Sequence, residues 1–320
     1  MNNIPSPQNF AAIGVAGYVA PRHLKAIRDT GNRLVAAVDP FDSVGVLDQF
    51  SYQVRFFTEI ERFDRHLEKL RRGPAKKHIH YVSIMSPNYL HDAHCRLALR
   101  VGAQAICEKP LVINPWNLNQ LAAIEAEHPG KIHTILQLRT HPALLDLKQS
   151  IDRDNKDRQY DVNLTYITSR GPWYHTSWKG SPEKSGGIAT NIGIHFFDLL
   201  GWLFGPPGDV KVFLSQPKRM SGFIEFERAR VKWFLSVDQA DLPVTPAPGQ
   251  NSTFRSITVD GQEIEFSGGF TDLHTRVYEE TLAGRGFGIE ESRPSIDLTY
   301  RIRQTPISPR DNRAHPFLFR

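Results

Sequence analysis

The sequence predicts an α/β protein in which an N-terminal Rossmann-type, doubly wound parallel sheet precedes an α+β domain with a large, mostly antiparallel sheet. Three observations carry this. From Phe10 to Leu136 short apolar runs alternate with helical patterns, as parallel βα units require. Beyond Arg139 the pattern changes to strands, several of them alternating in polarity, with few helices. The first strand, the turn after it and the acid ending the second strand have the layout of a dinucleotide fingerprint. The expected division is residues 1–137 for NAD binding and 138–320 for substrate binding.

The strand Phe10 to Val15 breaks at Gly14-Val15-Ala16-Gly17-Tyr18-Val19-Ala20, and a helix follows around Leu24 and Ile27. The next strand, Leu34 to Val38, ends in Asp39. Small residues let a backbone approach a pyrophosphate, and the helix N-terminus supplies amide dipoles. Asp39 stands where an acid meets the ribose hydroxyls and repels a 2′-phosphate, which favours NAD over NADP. The turn departs from G-x-G-x-x-G by one extra residue and by alanine at two small positions. A helix over Glu59–Arg72 and strands at His80–Met85, Ala105–Cys107 and Ile132–Leu136 complete the pattern, with helices from His91 to Arg100 and Leu118 to Glu127. In the second half, strands are expected at Asp161–Ser169, Val210–Ser215, Gly222–Glu227, Val231–Val237, Ser252–Val259 and Glu263–Phe266, with a hairpin turn at Asp260-Gly261. Helices are expected at Asn191–Leu203, Thr271–Leu282 and Pro294–Arg303; the arginine-rich tail reads as loose, or as wrapping a neighbouring subunit.

Three stretches carry candidate chemistry. Ala105-Ile106-Cys107-Glu108-Lys109-Pro110 ends a strand, because Pro110 cannot donate to a ladder. Ligands bind beyond the carboxyl ends of parallel strands, so Glu108 and Lys109 stand at the mouth of a cleft, level with Ser86 and Asn88. In Gly186 to Asp198, Asn191 and His195 are four apart and share a helix face. His195 can take a hydroxyl proton while Lys109 stabilises negative charge on the same oxygen; the same pattern also suits a core histidine between phenylalanines. The loop from Ser169 to Gly180 mixes aromatics, hydroxyls and cations, as a sugar-nucleotide site or a packed surface loop would.

Composition bounds the alternatives. Hydrophobic residues make up 40% and charged residues 23%, ordinary for a globular protein. No apolar run reads as long enough to span a membrane, and Met1–Asn9 carries no signal pattern, so a cytoplasmic protein is expected. Cys95 and Cys107 read as core thiols, not as a disulfide or metal site, and no metal is expected. The net charge of +5 is locally clustered but lacks interleaved aromatics or zinc spacing, which argues against nucleic-acid binding.

Together, Ser86-Pro87-Asn88 with His91, Glu108-Lys109-Pro110, and Asn191-x-Gly193-x-His195-x-x-Asp198 resemble the Gfo/Idh/MocA oxidoreductase family. Ala16 to Ala26, Ser86 to His94, Cys107 to Val112, Ser185 to Asp198 and Phe266 to Thr275 are similar to its UDP-N-acetylglucosaminuronate 3-dehydrogenases, the WlbA and WbpB type. The resemblance implies NAD-dependent oxidation of the sugar 3-hydroxyl for bacterial surface polysaccharide (O-antigen, lipopolysaccharide). The product passes to a PLP-dependent aminotransferase, and in several relatives 2-oxoglutarate reoxidises the nucleotide. It also implies a homodimer or homotetramer. Carried over, Lys109 and His195 are the catalytic pair. The expected NAD-binding residues are Gly14, Ala16, Gly17, Tyr18, Val19 and Asp39, then Ser86, Asn88, His91, Glu108, Lys109 and Gln137. The expected substrate residues are Lys109, Arg139, Tyr174, Ser177, Lys179, Asn191 and His195. Asn191 stands where many members have aspartate, and an amide cannot raise the pKa of His195 as a carboxylate would. The alternatives are another sugar or polyol dehydrogenase of the family, or a non-catalytic sugar-nucleotide-binding regulator.

Overall fold

A computed structural model describes residues 6–244, 253–264, 266 and 272–319. The chain forms two units, Met1–Gln137 with Thr271–Ser292, and Leu138–Phe270 with Arg293–Arg320. A single boundary after Gln137 therefore leaves out one segment that returns to the first unit.

In the first unit, β1 (Asn9–Ile13), β2 (Arg33–Val38), β3 (Arg55–Phe57), β4 (Tyr81–Ile84), β5 (Gln104–Cys107) and β6 (Ile132–Thr134) form one sheet in the order 3-2-1-4-5-6. Every pairing is parallel. Helices α1 (Ala20–Asp29), α2 (Ile60–Arg71), α3 (His91–Arg100) and α4 (Pro115–Ala126) make the crossovers. Strands β1 and β4 are buried along their whole length, which is why they read as continuous apolar runs. Strand β3 was not expected: it is a three-residue edge strand with an exposed Arg55 and lacks such a run. Strand order reverses between β2 and β4, on either side of β1, the place where doubly wound sheets open a crevice.

In the second unit, α5 (Pro142–Arg153) precedes β7 (Tyr160–Thr168). Of two single turns, α6 (Trp173–Thr176) lies in the aromatic loop Ser169 to Gly180 and α7 (Pro182–Ser185) follows it. They are followed by a π-helical turn (Ala189–Gly193) and α8 (Ile194–Phe204). Strands β8 (Pro207–Ser215), β9 (Arg219–Phe226), β10 (Ala229–Ser236), β11 (Thr253–Val259) and β12 (Gln262–Glu263) complete a sheet in the order 12-11-7-10-9-8. Its pairings are antiparallel except β7 with β10. Asp260 (φ 51°) and Gly261 (φ 79°) make the expected hairpin turn. Alternate residues such as Leu164, Ile224, Val231 and Trp233 face a core shared with Phe196, Phe197 and Leu200 of α8. The other face presents Ile167, Phe213, Phe223 and Phe234, and the tail residues Ala314, Phe317 and Leu318 cover it. The tail is thus packed on its own sheet and not loose. An aromatic sheet face needs cover, and His315 anchors it on Thr165 at 3.1 Å.

Helix α9 (Leu273–Leu282) belongs to the first unit, because Val277 and Tyr278 are fully buried in its core and Tyr278 stacks on Phe10 at 5.9 Å. Helix α10 (Ile289–Gln304) begins within the returning segment and continues in the second unit. The expected strand start at Ser252, Glu265 of the last strand, residues 267–271, Met1–Pro5 and Arg320 lie outside the described residues. One stretch, Pro182–Phe204, does have the length and apolarity to cross a membrane, contrary to the sequence reading. It is 72% buried and comprises α7, the π turn and α8, so its apolarity serves the core.

Candidate functional site

The fingerprint turn forces a glycine at its first position. Gly14 has φ 92°, and a Cβ there would lie 2.7 Å from the carbonyl carbon of Met85. The Gly14 amide donates to the Val38 carbonyl (2.9 Å) and Gly17 to the Gly14 carbonyl (3.2 Å), which closes the loop between β1 and β2. No side chain caps α1; its Ala20 and Arg22 amides bond the Gly17 and Val19 carbonyls at 3.0 Å and Pro21 has none, so an anion there meets the positive end of the helix dipole. Asp39 is buried; its carboxylate accepts the Ala16 amide (2.9 Å) and the Phe41 amide (2.9 Å). A carboxylate has further lone pairs for two ribose hydroxyls. Val19 is half-buried, whereas Tyr18 stands in solvent with Arg22 over its ring. A dinucleotide fits this turn.

At the end of β4, Ser86 and Asn88 are buried, and the Ser86 hydroxyl meets His94 Nδ1 at 2.8 Å. Burial lowers the His94 pKa to about 4. His91 is fully buried. Its Nδ1 lies 2.7 Å from the Pro110 carbonyl and its Nε2 lies 2.8 Å from the Ser86 carbonyl, so the ring ties the ends of β4 and β5 together.

Glu108 is turned inward. Its Oε1 accepts His23 Nε2 and His274 Nε2, each at 3.0 Å. Burial pushes this carboxyl up, but the two imidazole hydrogen bonds and nearby positive charge outweigh it and hold the group well below the ordinary carboxylate range. The His23 ring is driven toward its neutral form by burial. Tyr278 bonds His23 Nδ1 at 2.8 Å and the Ser83 hydroxyl at 2.7 Å. With Nε2 carrying the proton, His23 accepts from Tyr278 and donates to Glu108. The ligand atoms of His23, Glu108 and His274 lie within 4.8 Å of one another, the composition of a metal site, but their mutual hydrogen bonds already account for both Nε2 atoms and Oε1. His23, His274, Tyr278 and Ser83 were not singled out in the sequence; their separations of up to 255 residues hide the cluster. Lys109 is half-buried, its amide 3.3 Å from Glu108 Oε2, and it precedes a cis peptide to Pro110. Gln137, also half-buried, ends the first segment of this unit.

In the second unit, the left-handed Gly186 (φ 79°) and Gly187 (φ 70°) lead into the π turn that carries Asn191. A π turn widens the helix by one residue per turn and frequently marks functional sites. Asn191 Nδ2 donates to the Tyr174 hydroxyl at 2.9 Å, and burial raises the Tyr174 pKa. His195 is half-buried, at the start of α8. One turn on, Asp198 is gripped by both prongs of Arg139, Nε to Oδ2 at 2.9 Å and Nη2 to Oδ1 at 2.6 Å. Burial pushes the Asp198 carboxyl up, and Arg139 opposes that. The Arg139 fork thereby ties its own turn to α8. In the aromatic loop, Ser177 donates to the Tyr174 carbonyl (2.9 Å) and accepts the Lys179 amide (3.3 Å). Lys179 Nζ lies 4.3 Å from the Trp178 ring centre and 5.9 Å from that of Trp173.

Comparison with known proteins agrees with this arrangement. Residues 8–135 match a family model described as an oxidoreductase family NAD-binding Rossmann fold, and residues 158–240 match its C-terminal alpha/beta domain. The WlbA (WbpB) dehydrogenase from Thermus thermophilus, solved with NAD and alpha-ketoglutarate and with NAD and UDP-GlcNAcA, is 49% identical. It superposes with a TM-score of 0.91 over 97% of this chain and 99% of that one. The WlbA dehydrogenase from Bordetella pertussis shares the fold at 20% identity and a TM-score of 0.73, over 96% of this chain and 99% of that one. Among curated relatives, inositol 2-dehydrogenase of Rhizobium meliloti is 26% identical over 61% of this chain and 54% of its own length. The putative oxidoreductase YteT of Bacillus subtilis is 29% identical over 36% of this chain, which spans only 27% of that relative's length. With both family models matched in order along one chain, the protein belongs to the Gfo/Idh/MocA oxidoreductase family and carries that family's NAD-binding Rossmann domain.

Proposed function

We propose that the protein is an NAD-dependent dehydrogenase that oxidises the 3-hydroxyl of UDP-N-acetylglucosaminuronate. The observation that carries this is the 49% identity, end to end, to a dehydrogenase solved with NAD and that sugar nucleotide. The fingerprint turn and Asp39 hold the dinucleotide, with Ser86, Asn88 and Gln137 at neighbouring strand ends. When bound, NAD supplies the two-electron acceptor. His195 takes the hydroxyl proton, and Lys109 donates a hydrogen bond to the oxygen on which charge develops. Asn191, tied to Tyr174, sets the approach to His195 without adding charge. Arg139 forms a buried pair with Asp198, so we assign the substrate's anionic groups to Lys179, which lies beside Trp173 and Trp178. The finer setting rests on the resemblance: O-antigen sugar synthesis, a following PLP-dependent aminotransferase, 2-oxoglutarate as the reoxidant, and a homodimer or homotetramer. A cytoplasmic site of action accords with the buried free thiols Cys95 and Cys107.

The test is a near-ultraviolet scan of NAD-loaded protein before and after UDP-N-acetylglucosaminuronate, with UDP-glucuronate as control. The reduced-nicotinamide band is expected only with the N-acetylated sugar. A band already present marks co-purified reduced cofactor, to be discharged with 2-oxoglutarate before repeating. Reduction by a free polyol and not by the sugar nucleotide would transfer the protein to the inositol-type activity of its curated relative. No band with any of these sugars would leave a non-catalytic binder.

A further inference from the structure

We propose that Glu108, His23, His91 and His274 are positioning residues that fix the backbone on both sides of Lys109; the proposal rests on the catalytic reading of Lys109. Lys109 is held from each neighbour. Before it, the Glu108 carboxylate is pinned by His23 of α1 and His274 of α9, and its second oxygen faces the Lys109 amide at 3.3 Å. After it, His91 of α3 has one ring nitrogen 2.7 Å from the Pro110 carbonyl and the other 2.8 Å from the Ser86 carbonyl at the end of β4, and its neutral ring donates to one of the two. Tyr278 and Ser83 extend the first arm into β4. Three helices and two strands thus converge on one three-residue turn.

A strand end needs no such apparatus. One acceptor and one proline suffice, and buried ionisable groups are poor sources of stability: apolar replacements of similar shape are often neutral or stabilising. What a satisfied buried network does supply is a single geometry. That is what an electrophilic lysine requires, since a displacement of about 1 Å is worth about 100-fold in rate.

Four variants test this: Glu108→Gln, His91→Asn, His91→Ala and His274→Gln. Each is compared with wild type in kcat, KM, NAD affinity and amide exchange of the segment around Lys109. The expected result is a fall in kcat on the order of 10- to 100-fold with KM and NAD affinity within about threefold. His91→Asn should retain more activity than His91→Ala, because an amide still donates to one carbonyl. Exchange around Lys109 should quicken while β4 and β5 stay protected, and this reading needs no substrate. If wild type fails to turn over but exchange responds as stated, the catalytic reading falls and the positioning network stands. Unchanged kcat together with unchanged exchange overturns the proposal. So does loss of protection throughout β4 and β5, or a stoichiometric metal ion bound by wild type and lost in His274→Gln.

Discussion

The two units solve the problem of a stable interior in opposite ways. The second buries bulk: Trp233, Phe197, Phe204, Phe226 and Phe234 are fully enclosed, and one deep ion pair, Arg139 with Asp198, locks α8. The first also encloses Phe10, Phe63 and Tyr278, but adds to them a set of buried ionisable groups: Asp39, Glu108, His23, His91, His94 and His274. Apolar burial gives free energy without directing any one atom. Hydrogen-bonded polar burial gives little net free energy but fixes atoms in place. The contrast therefore divides labour, with shape and stability on one side and aim on the other.

The sharpest probe is Lys109→Ala. If the first unit supplies aim, this variant should lose turnover by a factor on the order of 10³ while keeping its melting behaviour and NAD affinity. Full activity would end the role given to Lys109. Next, Arg139→Leu should destabilise the protein by about 3–5 kcal/mol, because it leaves the buried Asp198 charge uncompensated. Adding Asp198→Leu should recover most of that loss in denaturant unfolding. A double variant no better than the single would show that Arg139 does something other than neutralise Asp198.

Acid offers a milder test. His23, His91, His94 and His133 have pKa values lowered by burial, to about 4 for His94 and His133. A histidine depressed in the folded state contributes stability that is fully present above its unfolded value of about 6.5 and is lost as pH falls toward the folded value. Glu108, held well below its ordinary range, keeps its contribution until lower pH. Between pH 6.5 and 4 the first unit should therefore lose a few kcal/mol, read as faster amide exchange in β1, β4 and β5 before the strands of the second unit respond. Equal acceleration in both units would erase the contrast.

The legible parts of the sequence were those written locally. The β1 turn with Asp39, the apolar face of α8 and the Asp260-Gly261 turn all lie within short windows, where period and turn chemistry act. Helix α5 was overlooked although Pro142 at its first turn was a usable signal. The Glu108 cluster was not legible, since its hydrogen bonds join residues 85 and 166 positions apart. Glu108 itself stood out, but as a group facing a ligand, whereas its carboxylate accepts from two buried imidazoles. Arg139 was likewise read as open to a substrate, because its partner Asp198 lies 59 positions on.

The return of Thr271–Ser292 to the first unit, followed by Arg293–Arg320 in the second, interleaves the two units along the chain. During synthesis from the N-terminus, the strands β1 to β6 leave the ribosome long before His274, Val277 and Tyr278. The early chain thus waits with Phe10 and Glu108 lacking their eventual neighbours. The second unit waits longer still, because Leu298 and Ile302 of its core and the covering residues Ala314, Phe317 and Leu318 leave last. The two halves therefore finish in the order in which they begin.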